Sequence, residues 1–189
     1  MRWGLALGGL VLAGGIGFLV SSRDTQPAAS AESPTLPASP HAGWVPLVSQ
    51  KEGFRIDLPA KAQDAYGGMG LGNDLDAMWM ATHATGTFSV RVTRCPPEAC
   101  AKAPDSVLKG FVEGAVDELK GTLLEEKPLE VPCPSGTCPG LEFESTSSVG
   151  YRVLSRLIIS DDRIFQILFL RTGESSEPYR KAVESFTFL

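Results

Sequence analysis

From Trp3 to Val20 the chain runs for 18 residues without a charge, preceded by a single basic side chain, Arg2. As a helix this stretch would reach about 27 Å, just short of the hydrocarbon thickness of a bilayer. Residues 1–22 therefore read as a signal peptide or a single-span membrane anchor. The run exceeds the usual signal core of about 7–15 residues, which favours the anchor. Small residues at Val20-Ser21-Ser22 and Ala29-Ser30-Ala31 keep cleavage open. No cysteine lies nearby, which excludes a lipid attached at a lipobox cysteine. Gly4 and Gly8 have the small-xxx-small spacing that packs transmembrane helices, but a Gly-rich signal core looks the same. Both readings leave Arg2 inside and the rest of the chain extracytoplasmic, either membrane-anchored or secreted and periplasmic after cleavage.

Residues 23–43 form a linker. Of these 21 positions 14 are Ser, Thr, Ala or Pro, with Pro27, Pro34, Pro37 and Pro40 spaced along it. Such a stretch has too little apolar surface to offset its ordering entropy and is expected to be extended. The folded domain is then 44–189, where 15 Lys and Arg face 20 Asp and Glu, so the charge of −5 belongs to the domain. With 43% hydrophobic and 21% charged residues the composition is that of an ordinary globular chain. An acidic domain lacks the basic surface that binds a phosphate backbone, so no nucleic-acid partner is expected.

Within the domain, Trp44–Val48 reads as an opening strand, and Phe54, Ile56 and Leu58 alternate on one face of a second strand stopped by Pro59. Residues 61–74 lack any period and read as a loop. Ala77–His83 and Thr87–Arg94 make a hairpin with Phe88, Val90 and Val92 inward. Apolar residues recur at helical spacing from Val107 to Leu119, predicting a helix over 105–120 with Asp105 as N-cap and Gly121 as its end. Gly110 and Gly114 inside it each cost about 1 kcal/mol relative to Ala, which points to close packing there. Strands follow near 122–131, 140–147, 150–160 and 163–171. Residues Ile164–Leu170 are apolar on both faces, as a central strand requires. A short helix from Ser176 turns Tyr179, Ala182 and Val183 inward, and Ser185–Leu189 closes the chain as a strand. Hairpins with one helix in the middle and one near the end give an α+β fold, a mostly antiparallel sheet of about six to eight strands with two helices.

Trp44, Gly53-Phe54-x-Ile56-x-Leu58-Pro59, Pro139-Gly140-x-Glu142 and Val183-x-Ser185-Phe186 together resemble the small secreted domains of PsbP-like α/β fold. These occur in bacterial envelope proteins and are related in fold to a photosystem II extrinsic subunit. The resemblance covers nearly all of 44–189 and rests on apolar and turn positions. It implies a non-catalytic binding or assembly role and carries over no catalytic or ligand residue. The two cysteine pairs are additions to the shared pattern.

Those pairs, Cys95/Cys100 and Cys133/Cys138, share a C-x4-C spacing, each placed just beyond a strand. Outside the cytoplasm an even count reads as disulfides, and the short turn-rich loops favour 95–100 and 133–138 among three connectivities. Each closure contributes about 2 kcal/mol by chain entropy. A four-thiolate zinc site or a redox role is the rival, weakened by the absence of C-x2-C.

Catalytic candidates are few. His41 lies in the linker and His83 ends a strand, with no G-x-S-x-G elbow anywhere. The Gly-rich loop 67–76 lacks a phosphate-cradle pattern and a calcium-loop pattern, although Asn73, Asp74 and Asp76 stand in it as candidate contacts. Arg91, Arg152 and Arg156, with Arg55, alternate away from apolar neighbours. They either line one polar sheet face for a carboxylate-rich partner or pair with Asp57, Glu142 and Glu144 as a solvated face, the reading with more weight.

The sequence thus reads as a non-catalytic exported envelope protein, with no cofactor and no resident metal. Its expected partners are the membrane, through residues 3–20 if uncleaved, and an unidentified envelope protein or surface component. The alternative is a small-ligand or metal-binding extracytoplasmic domain using loop 67–76 and a sheet face; no motif supports an enzyme. Limited proteolysis should cut first within the linker, leaving a resistant fragment of 44–189; resistance of the linker would overturn this division.

Overall fold

The computed structural model describes residues 41–65 and 75–189. The signal or anchor segment, most of the linker, and the loop positions Asn73 and Asp74 lie outside them. No helix among the described residues is long and apolar enough to cross a membrane.

In chain order, β1 (Val45–Ser49) and β2 (Phe54–Leu58) are followed by a two-residue strand, β3 (Gln63–Asp64), inside the stretch expected to be loop. Then come β4 (Leu75–His83), β5 (Gly86–Arg94), α1 (Pro97–Lys102), α2 (Pro104–Glu118), β6 (Thr122–Cys133) and β7 (Gly136–Thr146). The chain ends with β8 (Arg152–Ser160), β9 (Arg163–Arg171), α3 (Glu177–Ser185) and β10 (Thr187–Phe188). A seven-stranded sheet has the order β3-β4-β5-β9-β8-β7-β6, and a three-stranded sheet the order β1-β2-β10, each antiparallel throughout. The fold class is α+β as read from the sequence, with α1 as a third helix and with the first two strands and the last set apart in a second sheet.

β9 is the fourth of seven strands, and its two apolar faces have separate tasks. On one face Phe165, Ile167 and Phe169 join Phe88, Val90 and Val92 of β5, and the small sheet and α3 cover them with Phe54, Ile56, Tyr179, Ala182 and Val183. Phe54 sits at the centre of this core, with Trp79, Phe165 and Phe186 rings at centroid distances of 5.4, 6.0 and 5.8 Å. On the other face Ile164 joins Leu141, Phe143, Leu157 and Ile159 under Leu108 and Val112 of α2. Two cores on opposite sides of one sheet explain why the strand between them is apolar on both faces.

Asp105 is not an N-cap. α1 and α2 meet at Ala103, whose φ of −147° interrupts the helical path, and Pro104 opens α2. Proline at the first helical position has no N–H to satisfy and a φ already suited to the helix, so Asp105 falls in the first turn, where it favours the dipole. At the other end Gly121 N–H donates to Val116 O and Lys120 N–H to Asp117 O, both at 3.0 Å, while Lys120 takes φ +46°. This is a Schellman ending with lysine in the left-handed position usually given to glycine. Gly121 is required for another reason: a Cβ there would collide with the Thr146 carbonyl.

Gly110 and Gly114 do not mark close packing, because a Cβ at either would meet nothing within 4 Å. Both are outward positions where glycine only adds backbone entropy. Gly110→Ala and Gly114→Ala should therefore each raise stability by about 0.5–1 kcal/mol. Gly121→Ala should lower it by about 1–3 kcal/mol. Urea unfolding of the three variants checks the pattern; destabilisation by the two helical replacements would contradict it.

Candidate functional site

β8 directs Arg152 and Arg156 to the face that also carries α3, and the register sets Arg156 opposite Glu142 of β7. Arg156 donates from Nε (2.9 Å) and Nη2 (2.7 Å) to Glu142 Oε1. Its Nη1 donates to Val183 O at 3.1 Å, in the last turn of α3. Tyr179 Oη completes the cluster at 3.5 Å from the same carboxylate oxygen. A guanidinium against the carbonyl end of a helix is favoured by the dipole as well as by the hydrogen bond. The cluster therefore holds α3 down on β7 and β8. Burial first, and the Glu142 charge second, drive the Tyr179 phenol well above its ordinary range, so it stays a neutral donor.

Arg152 pairs with Glu144 at 2.6 Å and Arg55 with Asp57 at 3.3 Å, so each of these arginines meets a carboxylate named for it from the sequence. The common face does not exist, however. Arg91 projects from the opposite side of the sheet, 9% exposed beneath α2, where its Nε donates to Ser89 Oγ at 3.1 Å. Desolvation pulls its guanidinium pKa down and the Glu118 carboxylate of α2 acts against that. In a sheet covered on both sides, successive arginines on different strands reach different layers, which alternation within each strand does not reveal.

Asp76, the one candidate of the Gly-rich loop among the described residues, belongs to β4. The register slips between Leu75 and Ala77, leaving Asp76 as a bulged residue ion-paired with Arg94 at 2.9 Å. His83 closes its own turn, with Nδ1 2.9 Å from Thr85 Oγ1. His41 packs edge-on against Trp44.

The sequence reading missed Glu52. It is 5% exposed in the β1–β2 turn, accepts a hydrogen bond from Arg163 Nη1 at 2.8 Å and is ion-paired with Lys51 Nζ at 3.0 Å, and the Arg163 bond ties the small sheet to the start of β9. Its setting, Gln50-Lys51-Glu52-Gly53, is that of any polar turn. Only the approach of Arg163, 111 positions away, distinguishes it.

The cysteines form the bridges Cys95–Cys100 and Cys133–Cys138, with Cα separations of 6.1 and 5.8 Å. Cys133 ends β6 and Cys138 lies inside β7, so neither stands beyond a strand; their bridge braces the hairpin tip. The Cys95–Cys100 bridge packs in the core under α2, the other in the core under the small sheet. Four thiolates divided between opposite sides of a sheet cannot share a zinc ion. No group of three or more His, Cys, Asp or Glu suited to a metal occurs among the described residues.

Among the described residues, clefts open on both sides of the β6–β7 hairpin region. One of about 110 Å³ lies between Glu125, Lys127, Glu144, Leu154 and Tyr179, below the size of an organic-ligand pocket. A wider one of about 590 Å³ lies along the β6–β7 hairpin beside Asp105, with Glu130 and Thr137 as its other polar groups.

Among solved structures the chain is similar to cyanobacterial PsbP (CyanoP) from Synechocystis sp. PCC 6803, with a TM-score of 0.58 over 82% of this chain and 98% of that one, at 11% identity. The fold is PsbP-like. A Bacteroides thetaiotaomicron VPI-5482 protein of known structure also matches, at 12% identity and a TM-score of 0.38 over 76% of this chain and 48% of that one, too distant to bear on the PsbP-like assignment. No protein-family model matches the sequence, and no curated protein matches it significantly. At 11% identity the likeness extends to the PsbP-like fold alone.

The Tyr179 shift sets an alkaline limit. A phenol whose folded pKa lies above its unfolded value of about 10 contributes stability below that pH and loses it as pH rises further. The urea midpoint should fall between pH 9 and pH 11 more steeply in the parent than in Tyr179→Phe. Parallel curves would show that the buried phenol is not the titrating group.

Proposed function

We propose that the chain is a non-catalytic exported envelope protein whose PsbP-like domain is a binding or assembly module. Residues 3–20 tether it to the membrane, or it is secreted after removal of 1–22. The observation that carries this reading is that the candidate chemical groups among the described residues are used within the fold. Glu142, Arg156 and Tyr179 clamp α3. Arg91 is buried beneath α2, and Asp76 and Glu52 close bridges between elements. Disulfides in two five-residue separations agree with folding in an oxidising compartment. The PsbP-like fold supports an assembly-type role.

Photo-crosslinking residues at Leu124, Lys181, Lys51 and His83 of the full chain, expressed in its own host, should give a discrete adduct with one envelope component from at least one position. Protease added to cells stripped of outer layers should cut the chain within the linker and release the resistant 44–189 domain. Protection from protease, or uncrosslinked chain at all four positions, would overturn the proposal.

A further inference from the structure

β6 is the outer strand of the seven-stranded sheet and pairs only with β7. It is 12 residues long, and every residue from Thr122 to Pro128 is exposed. An outer strand presents unpaired N–H and C=O groups along its free side, a template for one more strand. Pro128 and Pro132 interrupt its donors, so the edge free of proline is Thr122–Lys127, with a bulge at Leu124 where the register to β7 slips between Leu123 and Glu125.

The chemistry along that edge is specific. Glu125 and Glu126, with Glu130 beyond the first proline, enter none of the ion pairs formed among the described residues. Lys127 is the single cation of the strand. Beside the acids stand two of the most exposed large apolar side chains, Leu123 and Leu124 (40% and 46%). The turn joining β7 to β8 brings Val149 and Tyr151, 74% and 45% exposed, to the same end of the sheet. Glutamates facing glutamates discourage a second copy from pairing there, and the same charges attract an edge of opposite sign.

We infer that Thr122–Lys127 of β6 is a docking edge for an extended, basic and partly apolar segment of a partner protein, added as an eighth strand. The inference rests on the binding-module reading and assigns it a surface and a partner chemistry. Backbone hydrogen bonds supply registration, Glu125 and Glu126 select basic side chains, and Leu123 and Leu124 receive apolar ones.

The test uses the full chain in neutral detergent micelles and an acetylated, amidated heptapeptide of alternating lysine and valine. Hydrogen exchange should slow within 122–127 on adding the peptide. The same peptide with N-methylated valines carries equal charge but cannot complete the ladder, and should give no protection. The double change Glu125→Lys with Glu126→Lys should weaken binding at least tenfold while leaving the urea midpoint near that of the parent. Equal binding of both peptides, protection elsewhere than 122–127, or no binding at millimolar peptide would overturn strand addition at β6. In the host, an adduct from Lys181, Lys51 or His83 but never from Leu124 would remove the edge and keep the module. A Leu124 adduct to a second copy of this chain would assign the edge to self-association and overturn the inference, while no adduct anywhere would remove both.

Discussion

The rest of the molecule depends on one strand buried on both sides. β9 lies at the middle of the large sheet, and its alternate side chains feed the cores on both faces, as do those of its neighbours β8 and β7. A sheet with one wet face would leave α2 or the small sheet without an apolar surface to cover. Because both faces are apolar, helices α1 and α2 settle on one side and the β1-β2-β10 sheet with α3 on the other. At about 25 cal/mol per Å² of apolar surface removed from water, burying a single phenylalanine or isoleucine of such a strand contributes about 1.5–3 kcal/mol. Several of them outweigh any ion pair at the surface.

Polar groups then do the locating that apolar burial cannot. Hydrophobic cover is non-directional, and α3 could slide along β7 and β8 at little loss of area. Arg156 removes that freedom, since its guanidinium reaches Glu142 on a strand and Val183 O on the helix at once. Glu52 does the same for the small sheet through Arg163. These side chains resemble a functional cluster in composition, but their partners are other parts of the scaffold. What is left over is at the margin: an acidic outer strand whose charges are not consumed inside the domain.

Reading the sequence captured the period-two strands, because Phe54, Ile56 and Leu58 or Phe88, Val90 and Val92 are each decided by neighbours two positions away. It placed the central strand for the same reason. Helix boundaries were less legible: Asp105 had the residue type of a cap, yet Pro104 made a cap unnecessary. Gly110 and Gly114 suggested contact where there is open space, because a glycine's cost is local while its justification is tertiary. The arginines illustrate the limit for sites. Arg152 and Arg156 pair with carboxylates on the adjacent strand, and composition pointed to them. That Arg91 occupies the other layer follows only from which strands are neighbours.

Composition and local pattern by themselves determined an acidic, globular, strand-rich domain behind an apolar segment and a Pro-rich spacer, with cysteines spaced for short bridges. These properties depend on residues within a few positions of one another. Tertiary structure alone decided that the strands divide into two sheets, that the two bridges sit in opposite cores, that Glu52 finds Arg163, and that β6 is left at an edge. Each of those depends on segments up to a hundred or more positions apart meeting in space, and the free energy that brings them together is stored in neither segment separately.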